Sequence, residues 1–332
     1  MAEILGRALF VAGLLAVLAS AGQAGPVGGC LDSRQEQDCE VRPNRGYVCV
    51  YRRVDCRKAE HQERVEAPVF VSTFPFFGRM RMQYPEPEAL IRLSVAVPRG
   101  LELRYAERSL PREVNFHREA DAGLTRYVWE ARSQPALKKG KQSPTITFAL
   151  ADTWPNVAAS LAALLRARSA PEPELAVLVA RLSEGKPKAA QRLEALYDFV
   201  AKDIASVPVS MEDSGYLPRN AADILKSKAG NDLDKPFLLF AMLQEAGWRP
   251  ELVYMETRQR DPLEASLPNL RQFSAAAVRV VLNGRKVFLA PVGEARRCGQ
   301  MPGKLRGMRG LVAFPEEAAG ALITAPSRDA VR

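Results

Sequence analysis

The pattern of apolar and polar positions changes character near Trp154. Before it, short apolar runs are separated by Pro, Gly and charged residues, and one run alternates with the period of a strand at Ile91, Leu93, Val95 and Val97. After it, apolar residues recur at helical spacing, with one clear face at Leu193, Leu196, Tyr197, Val200 and Ile204. These patterns predict a β-rich domain over residues 67–152 and a helix-containing core over residues 153–295.

The stretch AGNDLDKPFLLFAMLQEAGWRPELVY, residues 229–254, predicts the central helix of that core. Asn231 is a good N-cap, Asp232 and Asp234 suit the first turn, and Gly247 marks the end. The run FLLFAML is apolar all round, which is typical of a buried helix. Two strand-like runs, AAAVRVVL and KVFLAPV, flank Asn283-Gly284, a strong hairpin signal. The expected fold class is therefore α+β.

The N-terminus resembles an export signal. Arg7 precedes an apolar run over residues 8–19 that is too short to span a bilayer, and small residues follow, so we predict a signal peptide over residues 1–24. A buried or anchoring N-terminal helix is the alternative. No other stretch is long and apolar enough for a membrane span. An exported protein, periplasmic or secreted, is expected.

The predicted export favours disulfide bonds between the cysteines, because disulfides form in oxidising compartments. Residues 25–66 form a polar, cysteine-rich segment, and two disulfides are expected there among Cys30, Cys39, Cys49 and Cys56. Their connectivity stays open. Lipidation of Cys30 is an alternative, and it would leave an even number of cysteines, four including Cys298, to form disulfides. The spacings contain no Cys-x-x-Cys pair, so no zinc site and no cofactor is expected.

The formal net charge of +9 is spread along the chain. No long basic run is interleaved with aromatic residues, so a solvated basic surface is favoured over nucleic-acid binding. Residues 296–332 are rich in Gly, Pro and Arg and are expected to form a basic tail.

Several segments together resemble a known family. The segments TRYVWEARSQPAL, ITFALADTW, GYLPRNAADILKSKAGNDLDKPFLLFAMLQEAGW and RQFSAAAVRVVLNGRKVFLAPVGE are similar, in order and spacing, to bacterial transglutaminase-like proteins with a β-rich domain of unknown function before the core. The resemblance covers residues 80–315. It implies a transglutaminase-like (papain-like) core, with helices packed on a small antiparallel sheet.

The resemblance also implies where a catalytic triad would lie. In the family a cysteine stands at the start of the buried helix, a histidine on the next strand and an aspartate on the strand after it, so that a thiolate attacks an amide carbonyl. These positions hold Asp232, Ala275 and Ala290 here, and both histidines, His61 and His117, precede the core. The triad is therefore expected to be lost.

The expected function is that of an exported, catalytically inactive transglutaminase-like protein, a peptide-binding or scaffold module of the cell envelope. An extended peptide, a peptidoglycan stem or an envelope protein is the expected partner. The resemblance gives a set of groove candidates, which are Tyr216, Asn231, Asp232, Phe273, Ser274 and Ala275.

Two other functions stay open. The first is an enzyme that uses Cys298, whose pKa the neighbouring arginines would lower, as an amidase or acyl transferase, or that uses Asp232 as a hydrolase. The second is a spacer that presents the cysteine-rich segment to a partner.

Overall fold

The computed structural model describes residues 33–43, 47–55, 60–67, 76–121, 123–170, 172–258, 262–293, 297–315 and 319–327. The chain divides into two compact units: unit 1 runs to Asp152 and includes Glu264–Asn269, and unit 2 comprises Thr153–Leu263 and the chain from Leu270 onward. No helix among the described residues is long and apolar enough to cross a membrane. The predicted signal peptide, Cys30 and Cys56 lie outside the described residues.

Unit 1 is built from two sheets that share one core. Its strands are β1 (Arg34–Val41), β2 (Tyr47–Val54), β3 (Glu60–Ala67), β4 (Phe77–Arg81), β5 (Glu88–Pro98), β6 (Leu103–Arg108), β7 (Asn115–Ala120), β8 (Leu124–Gln134) and β9 (Thr145–Leu150). The larger sheet has the order β3-β2-β1-β5-β8-β7, and the smaller has the order β4-β9-β6. Leu93 and Trp129 from the larger sheet and Phe148 from the smaller are fully buried in one hydrophobic cluster.

The N-terminal strands belong to this larger sheet, which differs from the separate cysteine-rich segment predicted for residues 25–66. Strand β1 pairs with β5 in parallel and with β2 in antiparallel orientation. The buried side of β1 carries Gln37, Cys39 and Val41, so its sequence contains few apolar residues and has no strong strand signal. Cys39 lies opposite Cys49 and forms a disulfide with it, which confirms one bond among the four candidate cysteines.

Unit 2 packs helices on an antiparallel sheet. Its helices are α1 (Trp154–Arg168), α2 (Pro173–Ser183), α3 (Ala189–Asp198), α4 (Ala221–Ser227) and α5 (Asp234–Glu245), with a π-helical turn at Phe199–Asp203 and 3-10 turns at Leu270–Gln272 and Gly303–Leu305. Its strands are β10 (Ala205–Ser206), β11 (Ala229–Gly230), β12 (Glu251–Met255), β13 (Ala275–Leu282), β14 (Arg285–Leu289), β15 (Arg309–Phe314) and β16 (Leu322–Thr324). The chain therefore has α+β content, as predicted.

Two local predictions for unit 2 are confirmed. Residues 237–243 of α5 are all buried, as expected of a helix that is apolar on every side. Strands β13 and β14 form a hairpin around Asn283 and Gly284. Both turn residues have positive φ, 50° and 76°, which is the backbone that favours Asn-Gly in a two-residue hairpin turn.

The C-terminal region differs from the predicted basic tail over residues 296–332. Strand β15 lies between β12 and β16 in the five-stranded order β14-β13-β12-β15-β16. Leu311, Val312 and Ala313 on it are fully buried. The apolar run GLVAF supplies these buried residues, while the Gly, Pro and Arg residues around it give the region its tail-like composition.

A buried carboxylate, that of Glu88, lies at the start of β5. Glu88 is 6% exposed. Its Oε1 atom accepts a hydrogen bond from Gln35 at 3.0 Å, and its Oε2 atom has no hydrogen-bond partner among the described residues. Burial raises the pKa of Glu88, because the charged form loses its hydration.

We expect Glu88→Gln to stabilise the protein by about 1 kcal/mol at pH 7. The folded state has the higher pKa, so it binds the proton more tightly than the unfolded chain does. The stability that this proton supplies is present below the unfolded pKa and is lost as pH rises through the folded one. Urea unfolding from pH 4 to pH 7 should therefore show the advantage of the variant growing with pH. The exposed Glu86→Gln is the control; an equal gain there would contradict the burial argument.

Candidate functional site

The turn before α5 is fixed by Asn231. Its Oδ1 atom accepts hydrogen bonds from the backbone N–H groups of Leu233 and Asp234, both at 2.9 Å. Helix α5 begins at Asp234. Asn231 therefore satisfies donors at the helix start that have no partner within the helix, as expected of a capping residue. Asp232 lies in the turn that this capping creates.

Asp234 has a structural role. Its side chain is 7% exposed. The backbone N–H of Arg219 donates to Oδ1, and the Arg219 guanidinium donates to Oδ2, both at 2.9 Å. Asp234 thus attaches the loop before α4 to the start of α5.

Lys235 is almost fully buried, at 3% exposure. Its Nζ atom donates to the carbonyl of Ile204 at 2.8 Å, to the hydroxyl of Ser206 at 3.1 Å and to the carbonyl of Ala201 at 3.4 Å. Burial lowers the pKa of Lys235, and the nearby Asp232 carboxylate opposes that shift. Because all three acceptors belong to the π-helical turn and the residues just after it, the ammonium group holds this irregular segment against α5.

Asp232, at the nucleophile position that the resemblance implies, is paired with a lysine. Its carboxylate forms an ion pair with Nζ of Lys304, and the two side chains are 33% and 25% exposed. The Asp232 carbonyl accepts a hydrogen bond from the N–H of Ala276 at 3.1 Å, next to the implied histidine position. The structure therefore brings Asp232 to the start of β13. The two histidines of the chain lie in β3 and β7 of unit 1, so no imidazole is available in unit 2.

The two alanine positions lie in one apolar cluster. Ala275 and Ala290 are both 0% exposed and pack in the same cluster as Met301 and Leu305. The hydroxyl of Tyr197 donates to the Ala290 carbonyl at 3.3 Å. Neither alanine has a side-chain group that can accept or donate a proton, so these positions cannot activate or orient a nucleophile.

Residues 301–306, called here the covering segment, hold this arrangement in place. Met301 and Leu305 are 1% and 0% exposed. The backbone N–H and the guanidinium of Arg258 donate to the carbonyls of Lys304 and Arg306 at 3.1 and 2.9 Å. The Arg306 side chain donates to the Met301 carbonyl at 3.0 Å. The covering segment therefore packs into the buried cluster that contains Ala275 and Ala290.

The remaining groove candidates are largely interior. Tyr216 is 3% exposed, and its carbonyl accepts a hydrogen bond from the Tyr254 hydroxyl at 2.9 Å. Phe273 is fully buried, with its ring centroid 5.8 Å from that of Trp154. The Ser274 hydroxyl is hydrogen-bonded to that of Thr257 at 2.9 Å. The candidates thus surround the start of α5 and β13, but most of them are packed rather than aligned along an open groove.

Cys298 is in an environment opposite to the predicted one. Burial raises the pKa of its thiol to about 12, and the carboxylates of Glu194 and Asp198 raise it further. The expectation that neighbouring arginines lower this pKa is wrong, because those carboxylates and the buried surroundings dominate. The thiol stays protonated at neutral pH and is a poor nucleophile.

Lys304 and the covering segment were missed by sequence reasoning. Lys304 lies 72 residues from Asp232, and its region has a tail-like composition. The apolar pair Met301 and Leu305, four residues apart, was the available signal. In the described part of the chain, no group of three or more His, Cys, Asp or Glu side chains is arranged to hold a metal ion.

No protein-family model matches the chain, and no curated protein matches it. Among solved structures, a candidate protease from Parabacteroides distasonis ATCC 8503 is similar, with a TM-score of 0.63 and 14% identity over 89% of this chain and 71% of that one. The chain shares the fold of that candidate protease. A candidate cysteine protease from Cytophaga hutchinsonii is less similar, with a TM-score of 0.32 and 11% identity over 67% of this chain and 72% of that one.

Proposed function

We propose that this protein is a catalytically inactive transglutaminase-like protein that serves as an exported scaffold in the cell envelope. In the family that the sequence resembles, a thiol, an imidazole and a carboxylate cooperate in catalysis. The fold that this chain shares with a candidate protease is compatible with that resemblance. In this chain the corresponding positions carry Asp232, Ala275 and Ala290. Function belongs to the site rather than to the fold, so the frame alone supplies no chemistry.

The covering segment is the observation that carries the proposal. Met301 and Leu305 pack in the same buried cluster as Ala275 and Ala290, and Lys304 forms an ion pair with Asp232. A buried Met or Leu side chain contributes roughly 1.5–3 kcal/mol relative to an exposed one. A peptide that entered this site would have to displace both side chains and break the ion pair. This supports a scaffold rather than a module that binds peptide at the former triad.

Export and an oxidising compartment are supported by separate observations. The N-terminal apolar run with small residues after it is typical of a signal peptide. The Cys39–Cys49 disulfide suits an exported protein. Alkaline phosphatase fused after Ala24 should be active in a bacterial host, because the enzyme needs the oxidising periplasm. An inactive fusion would contradict export.

The purified protein should show no enzymatic activity above the rate in buffer alone. It should not hydrolyse casein, and it should not couple an amine to the glutamine side chains of casein. We expect Asp232→Asn and Cys298→Ser to give the same null rate. Lys304→Ala and Leu305→Ala, which weaken the cover, should also reveal no activity, because the reacting groups are missing rather than hidden. Turnover that Asp232→Asn or Cys298→Ser abolishes would instead establish an enzyme that uses that residue.

A further inference from the structure

One side of unit 1 presents aromatic rings to solvent. Tyr105 on β6 is 37% exposed, and Phe116 on β7 is 42% exposed. Their ring centroids lie 5.4 Å apart, and the Phe116 ring lies 4.9 Å from the buried ring of Trp129. The Trp129 indole N–H donates to Glu107 at 2.7 Å. These contacts hold the exposed rings in fixed positions, so covering them would cost little conformational entropy.

These rings lie beside a strand edge. Strand β7 is the last strand in the order of the larger sheet, and it pairs with β8 alone among the described strands. All six of its residues are exposed. An edge strand presents a row of N–H and C=O groups that can pair with a further strand. Phe116 projects from this edge on the same face as Trp129, which lies opposite it on β8.

A cation follows the ring on the same face. Arg118 comes two residues after Phe116, and side chains two apart on a strand share a face. Its guanidinium carbon lies 5.2 Å from the centroid of the Tyr127 ring. In the described part of the chain, no carboxylate forms an ion pair with Arg118. This edge therefore offers an apolar ring and then an uncompensated positive charge.

We propose that β7 binds an extended peptide as an added strand, with an apolar side chain of the peptide against Phe116 and a carboxylate against Arg118. Main-chain hydrogen bonds would supply affinity, and the alternate side chains would supply specificity. A second copy of β7 fits less well, because the face that carries Phe116 and Arg118 has Ala120 as its other residue and so offers no acid. Binding at this edge does not depend on whether unit 2 is catalytic.

A fluorescent peptide with the core Lys-Glu-Thr-Leu-Thr tests this site. In antiparallel pairing it brings Glu to Arg118 and Leu to Phe116. The isomer Lys-Glu-Leu-Thr-Thr puts Glu and Leu on opposite faces and is the control peptide. Fluorescence anisotropy with the full chain should show saturable binding of the first peptide, weakened roughly tenfold or more by Phe116→Ser or by use of the isomer. Tyr51→Ser, at a 37% exposed tyrosine of the same sheet, should leave binding unchanged.

A charge exchange makes the test specific. Arg118→Glu should abolish binding of the first peptide. A peptide in which Lys takes the place of that peptide's Glu should bind to the Arg118→Glu variant. Circular dichroism must show that each variant keeps the wild-type fold. Any of three results would contradict the proposed site: no saturable binding of the first peptide, equal affinity for the two peptides, or undiminished binding by Phe116→Ser. A dimer that Phe116→Ser abolishes, seen by light scattering, would assign the edge to a second copy and overturn the peptide as its occupant.

Discussion

Ala290→Asp is expected to lower the free energy of unfolding by about 3 kcal/mol or more, since an unpaired charge would enter an apolar interior. Ala290 is 0% exposed and shares its cluster with Ala275, Met301 and Leu305. The nearby Tyr197 hydroxyl already donates to the Ala290 carbonyl. Restoring the aspartate that the resemblance implies should therefore damage the fold. Urea denaturation followed by circular dichroism at pH 7 measures the change.

Val281→Asp is the matched control. Val281 lies on β13 of the same sheet but is 56% exposed, so its carboxylate would remain hydrated, and a loss below about 1 kcal/mol is expected. If Ala290→Asp is no more destabilising than Val281→Asp, water reaches the position of Ala290 and the packing of residues 301–306 over this cluster is not tight. The same comparison would then favour an accessible groove.

Lys235→Met is expected to cost about 2 kcal/mol or more, because the buried carbonyl of Ile204 would lose its charged donor and a buried polar group left unsatisfied costs roughly 1–3 kcal/mol. The variant keeps a long apolar side chain but removes the donor shared by the carbonyls of Ile204 and Ala201 and the hydroxyl of Ser206. The π-helical turn would lose its attachment to α5. Urea unfolding gives the stability, and hydrogen exchange at residues 199–206 should accelerate.

Lys202→Met gives the comparison for this lysine. Lys202 lies in the π-helical turn itself, its side chain is 60% exposed, and it pairs with Asp198 one helical turn earlier. Exposed pairs of this kind contribute little, so stability should hardly change. If the free energy of unfolding falls equally in the two variants, the hydrogen bonds of the buried Lys235 ammonium group stabilise the protein no more than the exposed ion pair of Lys202 does.

Local sequence patterns predicted those elements whose burial is evident from a short stretch of the sequence. Residues 237–243 are apolar without interruption and form the buried part of α5, and Asn283-Gly284 forms the predicted hairpin turn. Strand β7 was missed because all of its residues are exposed, so no alternation of apolar and polar positions marks it. Strand β1 was missed for a related reason, since polar residues occupy most of its length.

The resemblance suggests positions for the site, but the contacts made there could not be predicted from the sequence. The resemblance located Asp232, Ala275 and Ala290, and the structure brings Asp232 to the start of β13 and places both alanines in one cluster. The partner of Asp232 was not predictable, because an ion pair between residues 72 positions apart leaves no local pattern. The pKa of Cys298 was misjudged because burial, which raises it most, leaves no local sequence pattern, and because Glu194 and Asp198, which raise it further, are distant in sequence.

The place of β15 in the sheet has a consequence for the order in which the strands of unit 2 can pair as the chain emerges. Strand β12, which ends at Met255, lies between β13 and β15, and β15 begins at Arg309. The chain emerges from its N-terminal end, so the hairpin partner β13 is available first and β12 keeps one open edge until residue 314 has also emerged. Sheets completed by late, non-local pairing form slowly and are exposed to aggregation before they close. A chaperone that protects the emerging, incompletely folded chain would thus be needed for longest at unit 2.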